Sequence, residues 1–140
     1  IAELAREAAL PPTPPSGVEV RTGDIVFTAG RGLTADPALG GSPTEELRET
    51  SLVAISSSRC AGWYGRIPRD NLCGLYRGSG TCAGDSGGPL LNASKELVGV
   101  TSWGSASCLG PSVFVRVSSY LEWMSRVMSP RRSSGEPRDE

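Results

Sequence analysis

One serine dominates the chemistry open to this sequence. Ser86 sits in Gly84-Asp85-Ser86-Gly87-Gly88-Pro89-Leu90, with glycines on both sides. A serine becomes a nucleophile when its hydroxyl is exposed and a base can take its proton. Flanking glycines let the backbone turn sharply, so that successive N–H groups face one small space and can stabilise the oxyanion of a tetrahedral intermediate. The plainer alternative is a Gly-rich hairpin whose Ser hydroxyl is already satisfied. The base is the missing part, because the sequence contains no His at all. Neither a Ser-His nor a Cys-His pair can be completed within these 140 residues, and no His-ligated zinc can form.

The same run matches the Gly-x-Ser-x-Gly elbow of the α/β-hydrolases, which needs a strand before the Ser and a helix after it. Gly87-Gly88-Pro89 is a very poor helix start, and the residues that follow read as strand, so this alternative is rejected. Composition agrees with an all-β reading. The 18 Gly and 11 Pro favour short strands joined by many turns, and the length fits one domain. Lys and Arg total 14 against 15 Asp and Glu, a net charge of −1. No basic surface follows from that balance, so neither nucleic acid nor an anionic membrane is expected as partner. No apolar run is long enough to span a bilayer.

The four cysteines, Cys60, Cys73, Cys82 and Cys108, include no C-x-x-C pair, so no metal site is expected. An even number at wide spacing fits two disulfides in any of three connectivities, and hence an oxidising compartment. The alternative is four buried thiols in a cytosolic protein. No cofactor is implied.

The elements that must position Ser86 are mostly strands. Ile1 to Leu10 reads as helix by propensity, and Pro11-Pro12-Thr13-Pro14-Pro15 as a stiff spacer or a strap over a surface, with an SH3-type ligand as the weaker alternative. Strands are expected over Asp24–Thr28, Thr50–Ser56, Leu97–Trp103 and Ser112–Val117, the last with Val113, Val115 and Val117 on one face. Residues 33–44 and 61–81 read as loop because of their glycines and prolines. A final helix is expected, capped by Ser119 with Glu122 completing a capping box, and with Tyr120, Trp123, Met124 and Val127 as its apolar stripe. The tail from Pro130 to Glu140 is charged and reads as disordered. Ile1-Ala2-Glu3-Leu4 lacks an initiator Met and the apolar core of a signal peptide, so the chain reads as a fragment or a processed product.

Gly84 to Leu90 resembles the nucleophile motif of the trypsin-like (chymotrypsin-type) serine proteases. Ala29-Gly30-Arg31-Gly32 is similar to the family's Ala-Gly-Trp-Gly segment, and Asp70-Asn71-Leu72-Cys73-Gly74 to the segment before the active-site loop. Thr101-Ser102-Trp103-Gly104 resembles the strand that pairs with substrate. Pro111-Ser112-Val113-Phe114-Val115-Arg116-Val117 resembles the strand after it, and Tyr120-Leu121-Glu122-Trp123-Met124 the C-terminal helix. The resemblance runs over residues 18 to 128, in the family's order.

It implies a fold: the C-terminal six-stranded antiparallel β-barrel of a two-barrel protease, with a C-terminal α-helix. Residues 1–17 would be a stub of the inter-barrel linker, 18–128 the barrel and 129–140 a disordered tail. Cys60 would pair with Cys73 and Cys82 with Cys108, while Val26 and Asn92 stand where another family disulfide has its cysteines. The catalytic His and Asp belong to the first barrel, which is the missing partner. Ile1-Ala2-Glu3-Leu4 is similar to the segment that follows that Asp, and Ile1 is not the family's liberated N-terminus, which pairs with the Asp matched by Asp85.

The resemblance also implies roles. Ser86 is the nucleophile, and the N–H groups of Gly84 and Ser86 form the oxyanion hole. Ser102, Trp103 and Gly104 bind a polypeptide substrate as an added antiparallel strand. Gly80, Thr81, Gly104 and Ser112 line the pocket for the side chain before the scissile bond. Trypsin-like members carry Asp where Gly80 stands, so cleavage after Lys or Arg is not expected, and a small or medium apolar side chain is. The expected function is a secreted serine endopeptidase, with a catalytically inactive, protease-like binding module as the alternative. Asn92-Ala93-Ser94 is a glycan sequon if the chain is secreted.

Overall fold

The computed structural model describes residues 12–76 and 80–128. The helical reading of Ile1–Leu10 and the disordered tail therefore lie outside the described residues. Six strands form: β1 (Ile25–Gly30), β2 (Arg48–Ile55), β3 (Asn71–Leu75), β4 (Pro89–Leu91), β5 (Leu97–Trp103) and β6 (Ser112–Arg116). They close into one barrel in the order β1-β2-β3-β6-β5-β4, every neighbouring pair antiparallel. Closure pairs β1 with β4 through Phe27 opposite Leu91 and Thr28 opposite Leu90, so none of the six strands is left as a free edge.

The barrel is filled from alternate strand positions. Val26, Leu52, Leu72, Leu90, Val98 and Phe114 form one buried cluster, with Val20 packed against it. A second cluster joins Ile55, Val113 and the paired Cys60 and Cys73, with Tyr64, Ile67 and Leu75 around it. Val113 and Phe114 are consecutive and both fully buried, so β6 is covered on both faces. The expected single face of Val113, Val115 and Val117 is thus only part of the pattern. The outer face of β6 is covered where Val113 clusters with Cys60 of a helix, α1 (Ser57–Tyr64).

That helix and β3 both fall wholly or partly in the stretch that reads as loop in the sequence. Glycines at 62 and 65 hide the helix, but Ser56 caps it by accepting the Arg59 N–H at 3.2 Å, and Gly65 ends it in the left-handed region at φ 77°. The Cys60–Cys73 disulfide then fastens α1 to β3.

The last helix, α2 (Leu121–Met128), starts later than its sequence signals suggest. A 3-10 turn over Val117–Tyr120 runs straight into it, so the first turn of α2 has no free end for Ser119 to cap. Its apolar stripe is also turned outward. Trp123 is 55% and Val127 46% exposed, while Leu121 and Met124 are half-buried. The Tyr120 hydroxyl donates to Asp70 at 2.5 Å, and this bond, with the carboxylate's charge, raises the phenol above its usual pKa.

The Pro-rich segment is a strap. Leu97 donates its N–H to Pro14 and accepts the Ser16 N–H, at 2.9 and 2.8 Å, giving a short parallel bridge to the start of β5. Glu19 holds the next turn of chain to Arg116 at 2.7 Å and to Ser118 at 2.8 Å.

Phe114 fills the centre of the barrel at 0% exposure. Phe114→Ala is expected to cost about 3–5 kcal/mol, read as a fall in the urea midpoint at unchanged slope.

Candidate active site

Ser86 is carried on the turn between Cys82 and β4, and that turn is fixed by its own backbone. The Asp85 N–H donates to the Cys82 carbonyl at 3.1 Å and the Gly88 N–H to the Asp85 carbonyl at 2.9 Å. Thr101 on β5 clamps the other side: its carbonyl accepts the Gly87 N–H at 2.9 Å, and its N–H donates to the Gly88 carbonyl at 2.8 Å. Gly84 has φ 99°, a conformation that side-chain-bearing residues rarely adopt.

The Asp85 side chain ties this turn to the end of β1. One carboxylate oxygen accepts the Gly32 N–H at 2.8 Å, the other the Cys82 N–H at 2.9 Å. The chain can pass this close only because residue 30 has no side chain: a Cβ there would lie 1.9 Å from Asp85 Oδ1. The Leu33 N–H adds a bond to the Ala83 carbonyl at 2.8 Å. The Cys82–Cys108 disulfide, with Cα atoms 5.1 Å apart, anchors the base of the turn.

Two donors are left over. Among the described residues, the N–H groups of Gly84 and Ser86 have no acceptor, whereas those of Asp85, Gly87 and Gly88 each have one. Ser86 is exposed, and among the described residues its hydroxyl has no partner. The arrangement therefore offers a free hydroxyl between two free backbone donors, the set of groups that an attack on a carbonyl and the resulting oxyanion would use.

A cavity of about 270 Å³ opens beside Ser86. Of the residues singled out in the sequence, Thr81, Cys82, Ser102, Trp103, Gly104 and Cys108 line it, together with Ser86. Gly80 lines a second cavity of about 310 Å³, which also reaches Asp85 and shares Thr81, Cys82 and Cys108 with the first. Ser112 is 2% exposed and lines neither, because its hydroxyl accepts the Thr81 N–H at 2.8 Å and is thereby drawn behind the wall. Ser112 thus holds Thr81 in place instead of facing the cavity.

Trp103 is braced edge-on by Tyr64, their ring centroids 5.0 Å apart at 65°. The Tyr64 hydroxyl donates to the Pro111 carbonyl at 2.6 Å, and burial pushes this phenol above its usual pKa. Sequence reading missed Tyr64, since it belongs to the helix hidden by glycines. It also missed the side chain of Thr101, whose position in a strand gave no sign that it would line a cavity.

With this geometry established, comparison with known proteins decides the family. The model of the family described as Trypsin matches residues 3–124. The chain belongs to the trypsin family. Among curated relatives, this trypsin-family chain is 39% identical over 110 residues to brachyurin of Leptuca pugilator, covering 76% of the chain and 47% of that protein. It is 36% identical over 132 residues to trypsin, alkaline B, of Manduca sexta, covering 86% of the chain and 50% of that protein. Among solved structures it superposes on mouse neuropsin, a serine protease expressed in the limbic system of the brain, with a TM-score of 0.75 and 29% identity. That match covers 85% of this chain and 54% of the other. The chain thus spans half or less of the length of the curated relatives it matches.

Removing the Asp85 carboxylate leaves two inward-facing amides without acceptors. Asp85→Ala is expected to destabilise the fold by about 1–3 kcal/mol in urea unfolding. Gly30→Ala should act in the same direction, because its methyl group would take the space of the carboxylate oxygen.

Proposed function

We propose that this chain is the nucleophile-bearing half of a serine endopeptidase. Ser86 is the nucleophile, and the N–H groups of Gly84 and Ser86 receive the oxyanion. The observation that supports this most is the pair of backbone donors without acceptors on either side of Asp85, next to a free serine hydroxyl. A merely structural Gly-rich turn would have no use for two unpaired donors. The general base is an imidazole supplied from outside these 140 residues, since the chain has no His, and the first barrel of the family is its source.

The polypeptide substrate lies along Ser102, Trp103 and Gly104 as an added strand. Its side chain before the scissile bond enters the cavity walled by Thr81, with Gly80 and Ser112 behind that wall. Among the described residues no charged side chain lines the cavity, so a buried Lys or Arg would find no counter-ion among them and is disfavoured. The reading places the protein outside the cell, a compartment in keeping with its two disulfides.

A fluorophosphonate probe tests the nucleophile. The protein carrying this chain together with the upstream half found in its relatives should label at Ser86 and cleave peptides after small or medium uncharged residues. Ser86→Ala should abolish both. The 140-residue chain alone should give no measurable turnover of a peptide ester. Turnover by the chain alone, lost in Ser86→Ala, would overturn the assignment of the base to another segment. A full-length protein that binds peptides yet never labels would be a protease-like binding module.

A further inference from the structure

Thr101 carries an unspent group. It is 5% exposed, and among the described residues its hydroxyl is the one buried side-chain polar atom without a hydrogen-bond partner. Other hydroxyls nearby are engaged: Ser105 with Ser107 at 2.7 Å, and Ser112 with the Thr81 amide. Valine would fill the same space with no polar atom to satisfy, and a buried hydroxyl left unpaired calls for a reason.

The location supplies one. Thr101 lines the cavity beside Ser86, and its backbone N–H and carbonyl are the two groups that clamp Gly87 and Gly88. The main chain of Thr101 is therefore fixed relative to Ser86, and only rotation about Cα–Cβ remains. Because methyl and hydroxyl sit on the same carbon, rotation about that bond is the one movement left to redirect the hydroxyl.

We propose that Thr101 is a specificity-determining residue. Its hydroxyl pairs with a neutral hydrogen-bonding atom, a hydroxyl or a carboxamide, on the substrate side chain that fills the cavity. Thr or Asn is then taken in preference to its aliphatic isostere, Val or Leu. This rests on the protease reading above and, among its uncharged substrates, favours a polar side chain over the apolar one expected from the sequence. An aliphatic side chain would dry the cavity and leave the Thr101 hydroxyl unpaired, whereas a hydrogen-bonding one completes it.

Matched peptides differing only as Thr/Val or Asn/Leu before the scissile bond provide the test. The full-length enzyme should show kcat/KM about tenfold higher for the polar member of each pair. Thr101→Val should bring the ratio to about one, and Thr101→Ser, which keeps the hydroxyl, should retain most of it. A wild-type ratio of one or less, or a ratio unchanged in Thr101→Val, overturns the proposal. If Thr101→Val does not fold, the wild-type and Thr101→Ser ratios decide. Calorimetric binding of peptides ending in Thr or Val to the Ser86→Ala protein needs no turnover. A binding ratio favouring Thr, together with a wild-type protein that never cleaves, would sink the protease reading alone, while equal binding would sink this proposal.

Discussion

The carboxylate of Asp85 is the constraint on which the site depends. It accepts one N–H from the end of β1 and one from the base of its own turn, bringing together two segments that are far apart in sequence. A neutral hydrogen bond to water would be lost there at little cost, but charge-assisted bonds to backbone amides are shorter and stronger. The glycines at 30 and 84 follow from this contact. One makes space for the carboxylate, and the other lets the chain turn so that the Gly84 and Ser86 amides are left without partners.

The barrel supplies the rigidity behind that contact. Two small apolar clusters lie on opposite sides of β6, one inside the barrel and one beneath α1. The second cluster is built around a disulfide, which suits a domain whose core divides into modest parts. The wall of the cavity is held from behind in the same way. Ser112 fixes Thr81 and Tyr64 braces Trp103, so two of the residues facing the cavity are positioned by others that do not line it, while the Cys82–Cys108 disulfide ties two lining residues to each other.

What was legible in the sequence follows from the physics of each part. The Ser86 turn was legible because its glycines, Asp and Pro serve one backbone shape, and few sequences carry them together by chance. The strands at 97–103 and 112–116 were legible from their valine-rich runs. The helix over Cys60 was not, because Gly62 and Gly65 are loop signals locally, while the cap at Ser56 and packing on Val113 decide the outcome. For α2 the apolar period was legible, but spacing defines a face without saying what covers it. Ser112 and Gly80 were read as pocket walls by resemblance, yet the hydrogen bond to Thr81 sets Ser112 one layer back.

The join between β1 and β4 also carries a consequence for the order of events in folding. The β1–β2 and β4–β5 pairings connect strands adjacent in the chain and can form locally, whereas pairing β1 with β4 closes a long loop and is entropically slow. Gly32 follows β1 and Asp85 precedes β4, so the seat of the carboxylate exists only once that loop has closed. A half-folded chain can hold its hairpins and still lack the shape around Ser86. The turn acquires its form only when that loop closes, and a chain that stalls before closure has no organised nucleophile to expose to its neighbours.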